Sequence, residues 1–227
     1  MHRLHAAACV VLAATLGSCG PHHHLADYSF AGRALALVYI APPAPVLLQG
    51  RHTLRTANDP VAAVMRAGSG VAREIAGRRA SARLDSAAAH VDMAQRFAHA
   101  ALERTSRYLG TRAVEDDDGA DYVLEVQMRN VGIDARGESA AYLFTNAQVV
   151  LLDRRTGTEI WSTEVHGTDR LTPFVRGTDH VPGGIITAGT LDLVTVADFE
   201  QALQQLADFS STLVSDELRS ALRDVRR

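Results

Sequence analysis

The chain has 227 residues, of which 47% are hydrophobic and 22% charged, a balance that supports a packed domain and excludes a disordered acidic or basic tract. A formal charge of −3 supplies no field that would draw the protein to nucleic acid. All 23 basic residues are arginine and lysine is absent, which fits the codon bias of a GC-rich genome.

The first nineteen residues read MHRLHAAACVVLAATLGSC. Arg3 gives a short positive start, and Leu4 to Leu16 form an apolar run of about 13 residues, the length of a secretory core. A membrane-spanning helix needs roughly 20 residues, so this run is too short to be one. The motif that follows, Leu16-Gly17-Ser18-Cys19, resembles a bacterial lipobox. In that family the leader is cut just before the cysteine, whose thiol and new amino group are acylated. The resemblance implies residues 1–18 as a lipoprotein signal peptide and Cys19 as the lipidation site. It further implies attachment to a membrane of the cell envelope through two or three acyl chains, enough for stable anchoring. Gly20 stands where inner-membrane lipoproteins often carry Asp, so the expected destination is the outer membrane, with the domain facing the periplasm. Cys9 leaves with the leader and Cys19 is alkylated, so no disulfide is expected.

Residues 19–32 are expected to form a polar, lipidated tether leading into a single domain over residues 33–227. Within the tether, His22-His23-His24 could suggest a metal site, but adjacent side chains on an extended chain point in alternate directions and cannot close one coordination shell. Ala34 to Ile40 is an apolar run with the character of a buried strand, ended by Pro42, Pro43 and Pro45, and Val46-Leu47-Leu48 can resume pairing. Asn58-Asp59-Pro60 is a helix-start signal, followed by Val61, Val64, Met65, Gly68, Val71, Ala72 and Ile75 at helical spacing. Gly68-Ser69-Gly70 lacks the glycines and lysine of a phosphate loop, and it predicts close helix packing or a break. A second helical stretch runs from about Leu84 to Leu109, with Asp92 as a capping candidate and Gly110 as its stop. His90 and His99 do not have the i, i+4 spacing of a helical zinc pair. Glu115 to Gly119 is an acidic loop without the alternation and closing glutamate of a calcium loop.

The period-two alternation from Tyr122 to Arg129 predicts a half-buried strand, and Ala140 to Leu152 predicts a longer one. Asp153 to Gly157 predicts a turn and Ile160 to Val165 the returning partner, which together imply an antiparallel meander. Residues 168–190 read as a long irregular loop, and Asp198 to Val225 as a long amphipathic helix with Phe199, Leu203, Leu206, Leu213, Leu218 and Leu222 inward. The expected fold class is therefore α+β: an antiparallel meander of about four strands packed against helices, with a long C-terminal helix.

The stretch from Ala120-Asp121-Tyr122-Val123-Leu124 to the Thr156-Gly157…Trp161 hairpin resembles small α+β envelope lipoproteins. These are of the curli-secretion, penicillin-binding-protein-activator and Tol N-terminal-domain types. A propeller of the quinoprotein type would repeat that hairpin, which occurs here once. No Gly-x-Ser-x-Gly elbow and no mature cysteine nucleophile is present, so no catalytic residue, metal or cofactor is assigned. The resemblance and the anchor imply a non-enzymatic accessory or scaffold lipoprotein. Its expected partners are the membrane and an envelope protein, and nucleic acid is excluded. Docking through a sheet edge near Ala34–Ile40 or Ile160–Val165 is one expected mode. A lipid- or small-molecule-binding pocket between the sheet and the alanine-rich helices is the alternative. A hydrolase using Asp179-His180 in the 168–190 loop is the remote one.

Overall fold

The computed structural model describes residues 24–42, 44–49, 60–115, 119–135, 141–170 and 191–225. A six-stranded sheet carries three long helices. In chain order the elements are β1 (Ala34–Ile40), β2 (Val46–Gln49), α1 (Pro60–His90), α2 (Met93–Leu109), β3 (Arg112–Ala113), β4 (Tyr122–Ala135), β5 (Tyr142–Asp153), β6 (Glu159–Arg170) and α3 (Val196–Val225).

The sheet is mixed, which corrects the expected four-strand antiparallel meander. Strand order is β3-β1-β4-β5-β6, with β2 also paired to β4. β4, β5 and β6 form the expected antiparallel meander. β1 runs parallel to β4 over Leu35–Ile40 against Tyr122–Gln127, and β2 runs parallel to it over Val46–Gln49 against Gly132–Ala135. Helices α1 and α2 intervene in sequence between these strands and β4. A helical crossover of that kind returns the chain in the same direction, so the pairing is parallel.

Local sequence explains most element ends. Asp92 caps α2 by accepting the Gln95 N–H at 2.8 Å, and Gly110 closes it in the left-handed conformation at φ 70°. The helix before it is continuous from Pro60 to His90, so Gly68-Ser69-Gly70 does not break it. A helical glycine costs only about 1 kcal/mol relative to alanine, and the single break falls where Asp92 offers the backbone an alternative partner. The buried stripe of α1 in its described part is Ala76, Ala80, Leu84 and Ala87, while Ile75, expected inward, is exposed. At the start of α3, Thr195 and Asp198 form a reciprocal capping box. The Thr195 N–H and hydroxyl both donate to Asp198 Oδ2, and the Asp198 N–H donates to Thr195 Oγ1. The helix thus begins at Val196, two residues before the expected start.

The core lies between the helices and one face of the sheet. Leu124, Val126, Met128 and Ile133 of β4, Leu143, Val149 and Leu151 of β5 and Trp161 of β6 meet Phe97, Phe199, Leu203 and Leu206 from the helices. At two places chain elements approach so closely that an added Cβ would strike a neighbouring atom. A Cβ on Gly132 would collide with the Val46 carbonyl oxygen, and one on Gly167 would strike Ser210 Oγ. The domain's packing also reaches back into the segment expected as tether. Leu25 and Phe30 are buried, and Tyr28, Phe30 and Tyr122 form an aromatic cluster with ring centroids 5.0–6.3 Å apart.

Candidate functional site

Cys19 and the lipobox residues Leu16, Gly17 and Ser18 lie outside the described residues, as do His22, His23, Asp179 and His180. The structure does fix the point where the chain behind Cys19 enters the domain. The His24 N–H donates to the Ile160 carbonyl at 2.9 Å, a 3-10 turn (Leu25–Asp27) follows, and Leu25 inserts into the core. Tyr122 Oη donates to the Ser29 carbonyl at 2.9 Å, and burial raises the tyrosine's pKa above its ordinary value. Four residues lie between Cys19 and His24, and the five Cα–Cα steps joining them span at most roughly 18 Å at about 3.5 Å each. His24 contributes its backbone to this junction, and its ring lies 3.4 Å from Asp27.

Beside the junction lie the start of β4, through Tyr122, and the β5–β6 turn, through Ile160. The turn is set by Asp153, whose Oδ1 accepts the Arg155 and Thr156 N–H groups at 2.9 Å each. The Thr156 N–H is the main cause that holds this carboxyl below its ordinary pKa. Gly157 takes the left-handed conformation there at φ 69°.

The sheet face turned away from the helices is polar in its centre. Register shifts between Met128 and Asn130, leaving Arg129 at an irregularity in β4. Its guanidinium donates to Gln148 Oε1 at 2.6 Å and Glu164 Oε1 at 3.1 Å. Asn146 Nδ2 donates to Asn130 Oδ1 at 2.6 Å, and His166 Nδ1 lies 2.7 Å from Asn146 Oδ1. Three neighbouring strands are therefore laced by exposed side chains.

Two of the open cavities that adjoin the sheet among the described residues bear on the site. One, of about 680 Å³, lies between β6 and α3 and is lined by Trp161 to Glu164 on the strand, by Gln148 on β5 and by Glu217, Ser220 and Asp224 on α3. Among the described residues its lining holds three carboxylates and no basic residue. The other, of about 630 Å³, lies between the β1–β2 connection (Pro42, Pro45) and the α1–α2 junction (Ala88, Val91), with Val131 and Leu203 beneath. His90 stands at its rim with Nδ1 2.8 Å from Glu200 Oε1.

Among the described residues no group of three histidine, cysteine or acidic side chains is arranged to hold a metal ion. No described helix is long and apolar enough to cross a membrane. His90 and His99 are apart in space as in sequence, one beside Glu200 and the other 6.5 Å from the Tyr39 ring. Sequence reasoning missed the acidic wall of α3. Its signal was present in Glu217, Ser220 and Asp224, which share a helix face at i, i+3 and i+7.

No family model and no curated protein matches this sequence. Among solved structures, the chain is similar to a Xanthomonas campestris protein of the DUF330 family. The TM-score is 0.36 and the identity 15%, covering 88% of this chain and 90% of that one. It is also similar to a candidate lipoprotein from Caulobacter crescentus, with TM-score 0.35 and 13% identity, covering 56% of this chain and 83% of that one. A third similar structure is a lipoprotein from Neisseria meningitidis, with TM-score 0.25 and 15% identity, covering 78% of this chain and 99% of that one.

Proposed function

We propose that this protein is a lipid-anchored accessory lipoprotein of the bacterial cell envelope, tethered through Cys19 to the outer membrane. Its domain faces the periplasm and works by holding an envelope protein, without catalysing a reaction. The single observation that carries the reading is the close seating of the chain behind the lipobox. The His24–Ile160 bond and buried Leu25 leave only a short span between Cys19 and the domain. A domain held this near a surface gains from confinement, because partner and binding face are concentrated in the same thin layer. The polar sheet face and the open β6 edge are the surfaces such a partner would meet.

Mass spectrometry of protein from its native host is expected to find Cys19 as an acylated amino terminus. Cys19→Ala is expected to release the chain from the membrane fraction and to abolish in-cell cross-links to the partner. An unacylated terminus with the leader still attached would overturn the reading.

The 630 Å³ cleft favours a second reading, a site for an apolar small molecule or acyl chain between the sheet and the alanine-rich helices. Its volume lies within the range of ligand pockets, about 300–1,000 Å³, and its floor and walls are largely apolar. Native mass spectrometry that finds a co-purified lipid, lost on Ala88→Trp, would favour it over the first.

A further inference from the structure

β6 ends the strand order, and no strand among the described residues lies beyond it. The sheet thus presents a row of backbone N–H and C=O groups that an added chain could satisfy. The His24 N–H already uses one of them, the Ile160 carbonyl, so the edge accepts main-chain hydrogen bonds in this fold. Beyond that point the edge opens into the 680 Å³ trough. Its described lining comes from Trp161 to Glu164 of β6, Gln148 of β5 and one face of α3.

Charge selects the occupant. Among the described residues, Glu164, Glu217 and Asp224 line the trough without a basic residue in the lining, and neither Glu217 nor Asp224 has an ion-pair partner. Glu164 is shared with Arg129 on the outer face through an exposed contact of 3.1 Å, a weak restraint in water. Acidic groups on an edge commonly guard against self-pairing, and a second copy docked here would bring the same carboxylates together. The arrangement that excludes a copy of this chain attracts a segment of opposite charge.

We propose that the open edge of β6, with the acidic trough beside it, receives an extended basic peptide segment as an added strand. This rests on the reading that the protein works by holding a partner, and it names that partner's chemistry. Main-chain bonds to β6 supply affinity, while alternate basic side chains meet the carboxylates of α3 and supply selectivity.

The test uses the full-length mature protein in detergent micelles and fluorescence anisotropy. The probe is a labelled peptide of about seven residues alternating arginine and valine, one side-chain face charged and the other apolar. The basic peptide is expected to bind, and its glutamate counterpart is not. The same basic peptide methylated on alternate backbone nitrogens is expected to bind at least about tenfold more weakly, because it keeps its charge but loses strand pairing. The exposed double variant Glu217→Lys with Asp224→Lys is expected to weaken binding by about tenfold or more, with circular dichroism unchanged. Equal binding of the methylated peptide, or of the acidic one, would overturn the proposal. So would a dimer in sedimentation whose formation the peptide blocks. Mass spectrometry of the same sample separates the two readings. An unacylated chain that binds the peptide removes the anchor and keeps the edge. An acylated chain that ignores the peptide does the reverse.

Discussion

β4 has two flanks that are held in different ways. On one side lie β1 and β2, short parallel strands delivered from far upstream, with β2 pressed so close that Gly132 admits no side chain against the Val46 carbonyl. On the other lie β5 and β6, long antiparallel strands joined by a turn, with Gly167 of β6 tight against Ser210 of α3. The first close approach is backbone on backbone. The second is backbone on side chain, and side chains can move. A rigid contact and a yielding one should respond differently to the same added methyl group.

Gly132→Ala should therefore have the largest effect, about 2–4 kcal/mol of lost stability, because the Val46 carbonyl belongs to a paired strand and cannot retreat without breaking that pairing. Chemical denaturation measures the loss. Hydrogen exchange should show the β2 amides opening first, and protected β2 amides in a stable variant would contradict the account. Gly167→Ala should cost less, about 1–2 kcal/mol, since Ser210 Oγ can rotate and the next neighbours, Thr145 Cγ2 at 3.0 Å and Leu206 Cδ1 at 3.1 Å, need yield only slightly. Adding Ser210→Ala should recover much of that loss. A double-mutant cycle showing no coupling would separate the two positions.

Smaller effects sharpen the same contrast at the helix that covers the second flank. Asp198→Ala removes half of the capping box of α3 and should cost about 0.5–1 kcal/mol at neutral pH, the carboxylate being exposed and screened. The Thr195 N–H and hydroxyl lower the Asp198 pKa in the folded state. Its stabilising contribution is therefore complete above the ordinary carboxylate range and disappears as pH falls through the lowered value. The gap between wild type and Asp198→Ala should close in acid, and a gap that widened there would reverse the sign of the argument. Ser210→Ala alone should be neutral or stabilise by up to about 1 kcal/mol, because the hydroxyl is buried without a hydrogen-bond partner among the described residues.

The legibility of each region follows the range of the interaction that fixes it. The β4–β5–β6 meander was readable because alternation from Tyr122, the Asp153–Gly157 turn and the return at Ile160 are all local. Asp92 and Gly110 were readable as helix ends for the same reason, since a cap acts within one turn. Ala34–Ile40 was readable as a strand but not as a parallel one, because its partner lies beyond two helices. Polarity made residues 24–30 look like tether. Leu25 and Phe30 are too few to signal burial until Tyr122 and the helices are in place around them. The trough beside β6 was half legible: a candidate edge at Ile160–Val165 could be read, but its wall comes from a helix some sixty residues later.

The linear order of residues by itself determined roughly where the long helices and main strands fall, and the antiparallel half of the sheet. Each depends on neighbours a few positions apart. Tertiary structure alone decided which strand lies beside β4 on its other flank, where the chain behind Cys19 is clamped, and which carboxylates face the open edge. Those are set by excluded volume and backbone pairing between segments far apart in the chain, where a glycine at 132 matters only because Val46 arrives beside it.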